Sequence, residues 1–223
     1  RIVLANLVTN AAQSIPLHAG DEPSRLVEDA NHHVHVVLRR AGAIASFDLT
    51  APSIAVTRRN AACASPQGIA LSVNAVALYV ACSSGELVTL PTAYDPAPAM
   101  PDSATLLARL DRDLRDVVTV TDGLMISRLR SAEVLHVSTS GAIRDRFVPK
   151  STFFTGGSLE GGRELVPFVA WRMIASKAGT GVTVLHQRAQ RDPVEVEMPS
   201  AYGGGGGVGC GGIVNTATTS IEL

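Results

Sequence analysis

The sequence predicts an all-β protein in which one antiparallel, four-stranded unit is repeated along the chain. Its apolar runs are short, about four to seven residues each, and rich in Val, Ile, Leu, Thr and Tyr. No segment sustains the apolar stripe of an amphipathic helix. The same order of apolar runs and polar turns also returns at long range, and such self-similarity is typical of repeat architectures.

The repeat consists of a short apolar run, a turn containing Asn, Asp or Gly, a second apolar run, a polar turn and a third run. Four segments share this layout: residues 24–49, 65–92, 115–141 and 171–198. Equivalent positions, Leu26, Ile69, Val117 and Met173, recur at spacings of 43, 48 and 56 residues, and three or four strands in about 40 to 50 residues are typical of β-propeller blades. A fourth strand is predicted at residues 53–59, 105–111 and 142–148.

A single blade cannot bury both of its faces, so neighbouring blades must stack around an axis. We therefore expect an incomplete propeller ring. The predicted bounds are a partial blade at 1–21, full blades at 22–62, 63–113, 114–166 and 167–208, and a second partial blade at 209–223. A β-sandwich would also suit the spacing of the turns, but it would not produce the long-period self-similarity.

Short motifs add a family resemblance. Residues 3–6 (VLAN) and 79–82 (YVAC) stand where a Y-V-x-N-like motif ends a strand, and Gly20 and Pro23 supply a G-x-x-P that leads into the next blade. The chain thus resembles the YVTN type of β-propeller repeat. The resemblance implies a ring of about seven blades, of which this chain is a fragment. The chain is also similar to propeller segments attached to c-type cytochrome or peroxidase-like domains of large exported proteins.

Composition narrows the class of partner. Hydrophobic residues make up 46% of the chain and charged residues 17%, with a formal net charge of −1. This balance does not favour binding to nucleic acid. No apolar stretch approaches the roughly 20 residues of a transmembrane helix.

The chain contains three cysteines, Cys63, Cys82 and Cys210. In the blade model Cys63 precedes the first strand of a blade and Cys82 ends its second strand, so both lie on the same propeller face. A disulfide between them is expected, and it would indicate an exported protein. Cys210 stands where Cys63 does, and its partner would lie beyond Leu223. Three buried free thiols in a cytosolic core are the alternative.

Cationic residues recur where second strands end and first strands begin, and these points lie on one face of a propeller. The candidate binding residues are Arg25, Arg39, Arg115, Arg128, Arg172 and His186. Because guanidinium groups match carboxylate and phosphate, we expect this face to bind a protein or an anionic ligand. The alternative is ion pairing that makes structural bridges between blades, with Asp21, Glu22, Asp116, Glu133 and Asp192 as the acidic partners.

The sequence contains few residues or motifs typical of metal binding, catalysis or cofactor binding. His32, His33 and His35 lie close together, but His32 and His33 occupy an expected turn, which predicts a solvated position rather than a metal site. The sequence contains no G-x-S-x-G, P-loop or C-x-x-C-H motif. We therefore predict no catalytic, metal or cofactor residues and interpret the chain as a non-catalytic scaffold of an exported protein. The alternative is the propeller domain of a redox enzyme whose haem domain lies outside this chain.

Overall fold

The computed structural model describes residues 1–92, 104–154, 163–191 and 214–223. In this part of the chain all regular structure is β-strand, and neighbouring strands are antiparallel. The chain begins with a two-stranded hairpin of β1 (Ile2–Ala5) and β2 (Ala12–Ile15). Four four-stranded sheets follow, and we call them blades 1 to 4 in chain order.

Blades 1 to 3 are simple meanders in which consecutive strands pair. Blade 1 contains β3 (Pro23–Glu28), β4 (His33–Leu38), β5 (Ala43–Asp48) and β6 (Arg58–Ala61). Blade 2 contains β7 (Pro66–Leu71), β8 (Ala77–Cys82), β9 (Glu86–Pro91) and β10 (Thr105–Arg109). Blade 3 contains β11 (Leu114–Val120), β12 (Gly123–Arg128), β13 (Val134–Val137) and β14 (Ile143–Phe147).

Blade 4 is also a meander of consecutive strands, but its inner strand is the second strand rather than the first. It contains β15 (Thr152–Phe154), β16 (Arg163–Ala175), β17 (Gly181–Gln190) and β18 (Val214–Glu222). The second half of β16 is the inner strand, and the short β15 pairs only with the beginning of β16. The inner strands of successive blades, β3, β7, β11 and β16, contact one another in that order around the axis.

Apolar side chains between adjacent blades form the core. Val37 and Ile44 of blade 1 pack on blade 2, and Leu87 of blade 2 packs on blade 3. Met125 of blade 3 packs on blade 4. The middle strands are buried on both faces, which is why β4 and β12 read as nearly continuous apolar runs. The all-β class, the antiparallel blades and the incomplete ring are thus confirmed.

Close backbone packing between inner strands requires a small residue at Gly68. A Cβ atom there would lie 2.8 Å from both the Cα of Asp116 and the backbone nitrogen of Val117. Glycine therefore lets β7 approach β11 directly beside the buried Asp116.

Two predicted elements differ from the structure. Residues 53–59 were expected as the fourth strand of blade 1, but this strand is β6, Arg58–Ala61, because Ile54 and Val56 instead pack on the blade 1 core. Residues 209–223 were expected as a separate partial blade. Instead β18 pairs with β17 in one unbroken register, because Ile221 is buried in the core between blades 3 and 4. The predicted run at 194–198 lies outside the described residues.

The predicted disulfide is confirmed. Cys63, in the loop before β7, is bonded to Cys82 at the end of β8, with their Cα atoms 6.4 Å apart. The free-thiol alternative is therefore wrong for these two cysteines. Cys210 lies outside the described residues.

Candidate functional site

Four of the predicted arginines converge at one end of the inner strands. They line a cavity of about 430 Å³, which we call the channel mouth. Its lining residues are Ser24, Arg25, Arg39, Gln67, Arg115, Trp171, Arg172 and Leu185. The cavity thus combines guanidinium groups with one aromatic and one aliphatic side chain.

A β-bulge at the same end of every inner strand builds this cavity. The register shifts fall between Pro23 and Leu26, Pro66 and Gly68, Leu114 and Asp116, and Ala170 and Arg172. The residues left between these pairs include Arg25, Gln67, Arg115 and Trp171, and all four line the channel mouth. Bulges re-aim a side chain out of the strand's regular alternation, so equivalent positions in the four blades face one cavity.

Arg25 ties three blades together beneath the channel mouth. Its Nη2 atom donates to the Oδ2 atom of Asp116 at 3.0 Å and to the carbonyl oxygen of Trp171 at 3.0 Å. The backbone N–H of Met173 donates to the same Asp116 oxygen at 2.9 Å. Burial raises the pKa of Asp116, and burial together with the charges of Arg172 and Arg115 lowers the pKa of Arg25.

Arg115 spans from β11 to both neighbouring inner strands. Its Nη1 atom donates to Gln67 Oε1 at 2.9 Å, and its guanidinium carbon lies 5.9 Å from the centre of the Trp171 ring. This is cation–π distance. Its buried Nε atom has no hydrogen-bond partner among the described residues.

Arg39 and Arg172 retain the most unused donor capacity. Arg39 follows β4, and its Nη2 atom lies 3.4 Å from Oε2 of Glu22 in a partly exposed ion pair. Arg172 is exposed, and within the described ranges it has no hydrogen bond or ion pair. A guanidinium offers five N–H donors, so both side chains could bind a further acceptor.

The other two predicted site residues lie elsewhere. Arg128 pairs with Glu133 at 2.6 Å and with Asp111 at 3.7 Å, which agrees with the structural alternative. His186 is 0% exposed, and its Nε2 atom lies 2.9 Å from the Thr219 hydroxyl within blade 4. Burial lowers the pKa of His186.

Some of the other acids named as ion-pair partners of these arginines do pair with them. Asp21 pairs with Arg59 rather than with a residue of the channel mouth. Asp116 pairs with Arg25 across blades 3 and 1, as the alternative predicts, whereas Glu22 pairs with Arg39 within blade 1. Asp192 lies outside the described residues.

Sequence reasoning missed a buried polar cluster in blade 1. His35 Nδ1 lies 2.8 Å from Ser46 Oγ, and its Nε2 lies 3.5 Å from Asp29 Oδ2. His33 Nδ1 also lies 3.2 Å from this carboxylate. Asp29, His35 and Ser46 are buried inside the blade, so they crosslink its strands and are not presented to a ligand. Burial lowers the pKa of His35.

The described residues hold no group of three or more His, Cys, Asp and Glu side chains arranged to ligate a metal ion. No helix in the same ranges has the length and apolar character needed to span a bilayer.

Comparison with known proteins gives structural likenesses only. No protein-family model and no curated protein matches the chain, so the YVTN resemblance stays a prediction. Hydrazine synthase from Kuenenia stuttgartiensis has a TM-score of 0.52 and 12% identity over 92% of this chain and 64% of its own. A catalytically inactive variant of virginiamycin B lyase from Staphylococcus aureus has a TM-score of 0.54 and 13% identity over 89% and 63%.

A third similar structure is that of a protein from Bacteroides uniformis described as a 6-phosphogluconolactonase. Its TM-score is 0.51, with 10% identity over 85% of this chain and 73% of the Bacteroides chain. The chain spans less than two thirds of the hydrazine synthase and lyase chains. At these identities the likenesses establish architecture and no activity. The chain shares the β-propeller fold with these proteins.

Proposed function

We propose that this chain is a binding scaffold whose channel mouth holds a ligand carrying several carboxylates. One observation carries the proposal, namely that four guanidinium groups from three blades line one cavity of about 430 Å³. Planar guanidinium forks match carboxylates in geometry and in charge.

The local charge balance supports an anionic ligand. Arg25 is offset by the buried Asp116, and Arg39 is offset in part by Glu22. The charges of Arg115 and Arg172 have no carboxylate within ion-pair distance among the described residues. The cavity therefore carries a net positive charge that an anionic ligand would neutralise.

The apolar part of the cavity favours a flat ligand body. Trp171 is 46% exposed and Leu185 is 39% exposed, although both are large apolar side chains. Arg115 already lies against the Trp171 ring. A planar ring bearing carboxylates could contact Trp171 and Leu185 while its charged groups reach the arginines.

Two further features fit a non-catalytic role in an exported, YVTN-like protein. Every charged side chain lining the cavity is a guanidinium, which stays protonated at neutral pH and acts as a donor rather than as an acid or base. The Cys63–Cys82 disulfide is of the kind that persists in oxidising compartments.

Isothermal titration calorimetry with trimesate, a planar aromatic polycarboxylate, tests the proposal. We expect binding to the native protein, and weakening by about three- to tenfold in Arg39→Gln and in Arg172→Gln, as for loss of one partly exposed charged hydrogen bond. Arg109→Gln removes an exposed charge on the outer strand β10 and should leave the affinity unchanged. No binding of trimesate, or equal affinity in all variants, would overturn the proposal.

A further inference from the structure

The Cys63–Cys82 disulfide is joined to the channel mouth by a short chain of side-chain contacts. It holds the loop before β7 against the end of β8. In this loop the Ser65 hydroxyl accepts a hydrogen bond from Gln67 Nε2 at 3.0 Å. The oxygen of the same amide, Gln67 Oε1, accepts from Arg115 Nη1 at 2.9 Å. The loop therefore orients an amide that in turn orients one guanidinium group of the cavity.

The second cysteine is linked to the same arginine through the backbone. Ser83 follows Cys82, and its N–H donates to the Ser65 carbonyl oxygen at 3.0 Å. The Ser83 carbonyl oxygen accepts from the N–H of Asp113 at 2.7 Å, and Asp113 lies just before β11, the strand that carries Arg115. Both ends of the disulfide are thus linked to Arg115, one through its side chain and one through its strand.

The disulfide is the covalent anchor of a loop without regular secondary structure. Residues 62–65 belong to no strand, and Ala64 is exposed. At one end of the loop the Ala62 N–H donates to the Gly42 carbonyl oxygen at 2.8 Å, and at the other end the Ser65 backbone is hydrogen-bonded to the residue after β8. Reduction of the disulfide would remove the link between these two points and widen the range of conformations open to Ser65.

Arg115 depends on the Gln67 amide for its orientation. Among the described residues Gln67 is its hydrogen-bond partner, and its buried Nε atom has none. The contact with the Trp171 ring restrains the distance of the guanidinium group but not the direction of its N–H bonds. Because a carboxylate binds two guanidinium N–H groups in one plane, an arginine that is already oriented binds it more tightly than one that the ligand must order.

We propose that the Cys63–Cys82 disulfide orients Arg115 for ligand binding, so that reduction of this bond by a dithiol lowers the affinity of the channel mouth for carboxylates. Ser65 and Gln67 are the positioning residues that connect the bond to the cavity. This inference rests on the proposed function of the channel mouth and adds a redox dependence to it.

The redox step consists of two thiol–disulfide exchanges. A thiolate of the dithiol attacks Sγ of Cys63, which is partly exposed, and the fully buried Cys82 leaves as a thiolate. The second thiolate of the dithiol then attacks the mixed disulfide and releases Cys63. The two cysteine thiolates take up the two protons that the dithiol has lost to solvent. The protein disulfide thus gains two electrons, and the dithiol is oxidised to a disulfide.

Isothermal titration calorimetry with trimesate on the oxidised protein and on the protein reduced with dithiothreitol tests this proposal. We expect reduction to weaken binding by about three- to tenfold, as for loss of one oriented charged hydrogen bond. Gln67→Met keeps the disulfide but removes both amide contacts, so it should weaken binding to a similar extent and should bind almost equally in both redox states. Gln13→Met replaces an exposed glutamine outside the cavity and should bind as the native protein does in each state.

Equal affinity of the oxidised and reduced native protein would overturn this inference alone. Reduction that weakens binding as much in Gln67→Met as in the native protein would also overturn it, because the disulfide would then act by a route that bypasses Gln67. Unfolding of the reduced protein, detected by circular dichroism, would overturn it as well, since the loss of binding would then be global. No binding of trimesate by the oxidised native protein would overturn the proposed function and this inference together.

Discussion

Removing the positive charge of Arg25 should destabilise the protein, and the penalty should depend on pH. Arg25→Met keeps much of the side-chain volume but removes the donor to Asp116 and to the Trp171 carbonyl. Asp116 would then keep the Met173 N–H as its remaining inter-blade hydrogen bond. A buried carboxylate that loses its charged partner is costly because neither water nor a cation compensates it.

The structure sets the size of the penalty. The Asp116 side chain is 7% exposed and the Arg25 side chain 18%, so the pair lies between a surface pair and a fully buried one. Surface pairs contribute up to about 1 kcal/mol, and breaking fully buried pairs costs about 3 to 5 kcal/mol. We expect Arg25→Met to lower the free energy of unfolding by about 2 to 3 kcal/mol at pH 7, intermediate between these limits.

The sign of the pH dependence follows from the raised pKa of Asp116. Between its unfolded and folded pKa values the native state binds more protons than the unfolded state, so the stability from this group is lost as pH rises through the folded pKa. The positive charge of Arg25 opposes this rise in the pKa of Asp116, so removing that charge enlarges the loss of stability with rising pH. The penalty of Arg25→Met should therefore be largest at neutral pH and small at acid pH, where Asp116 is protonated.

Urea unfolding at pH 4 and pH 7 of Arg25→Met, Asp116→Asn and the double variant measures this coupling. Asparagine cannot ionise but can still accept from the Met173 N–H, so the double variant should recover at least about 1 kcal/mol relative to Arg25→Met at pH 7. An equal penalty at both pH values, or no recovery in the double variant, would refute the reasoning.

Two other predictions concern stability. The double variant Cys63→Ser, Cys82→Ser should lower the free energy of unfolding by about 3 kcal/mol, measured in urea, because the disulfide joins residues separated by 19 positions. Equal unfolding free energies of the double variant and the native protein would contradict this. The pKa of His35 is lowered chiefly by burial, so stability from the neutral ring is present above about pH 6.5 and lost as pH falls through the folded pKa. His35→Gln should flatten the decline in unfolding free energy between pH 7 and pH 5, and an unchanged slope would count against this account.

The blade architecture was predictable because the sequence shows both a local pattern of apolar runs and turns and a long-range repetition of that pattern. The turns, the apolar middle strands and the Cys63–Cys82 pairing all follow from the position of each residue within a repeat. The outer strands at residues 105–111 and 142–148 were found for the same reason, and they correspond to β10 and β14.

The composition of the channel mouth was only partly predictable. Arg25, Arg39, Arg115 and Arg172 were identified as recurring cationic residues. Gln67 and Trp171 occupy the same bulge position as Arg25 and Arg115, but they carry no charge and so did not share that signal. Arg128 recurs like the arginines of the channel mouth, but it forms an ion pair with Glu133 instead. Strand alternation alone could not predict that difference.

The position of β18 was not predictable from local pattern. Its residues alternate in burial like any strand, and only tertiary pairing decides whether they complete one blade or begin another. The cluster around His35 was missed for a related reason, since Asp29 and Ser46 meet it through hairpin pairing rather than through sequence spacing.

A crystal structure of the protein with trimesate tests the central claim most directly, because it locates the ligand as well as detecting it. The account predicts trimesate within the channel mouth, with its carboxylates at hydrogen-bond distance from Arg39 and Arg172 and its ring against Trp171. Trimesate bound elsewhere on the propeller, with the arginines of the channel mouth unengaged, would contradict it.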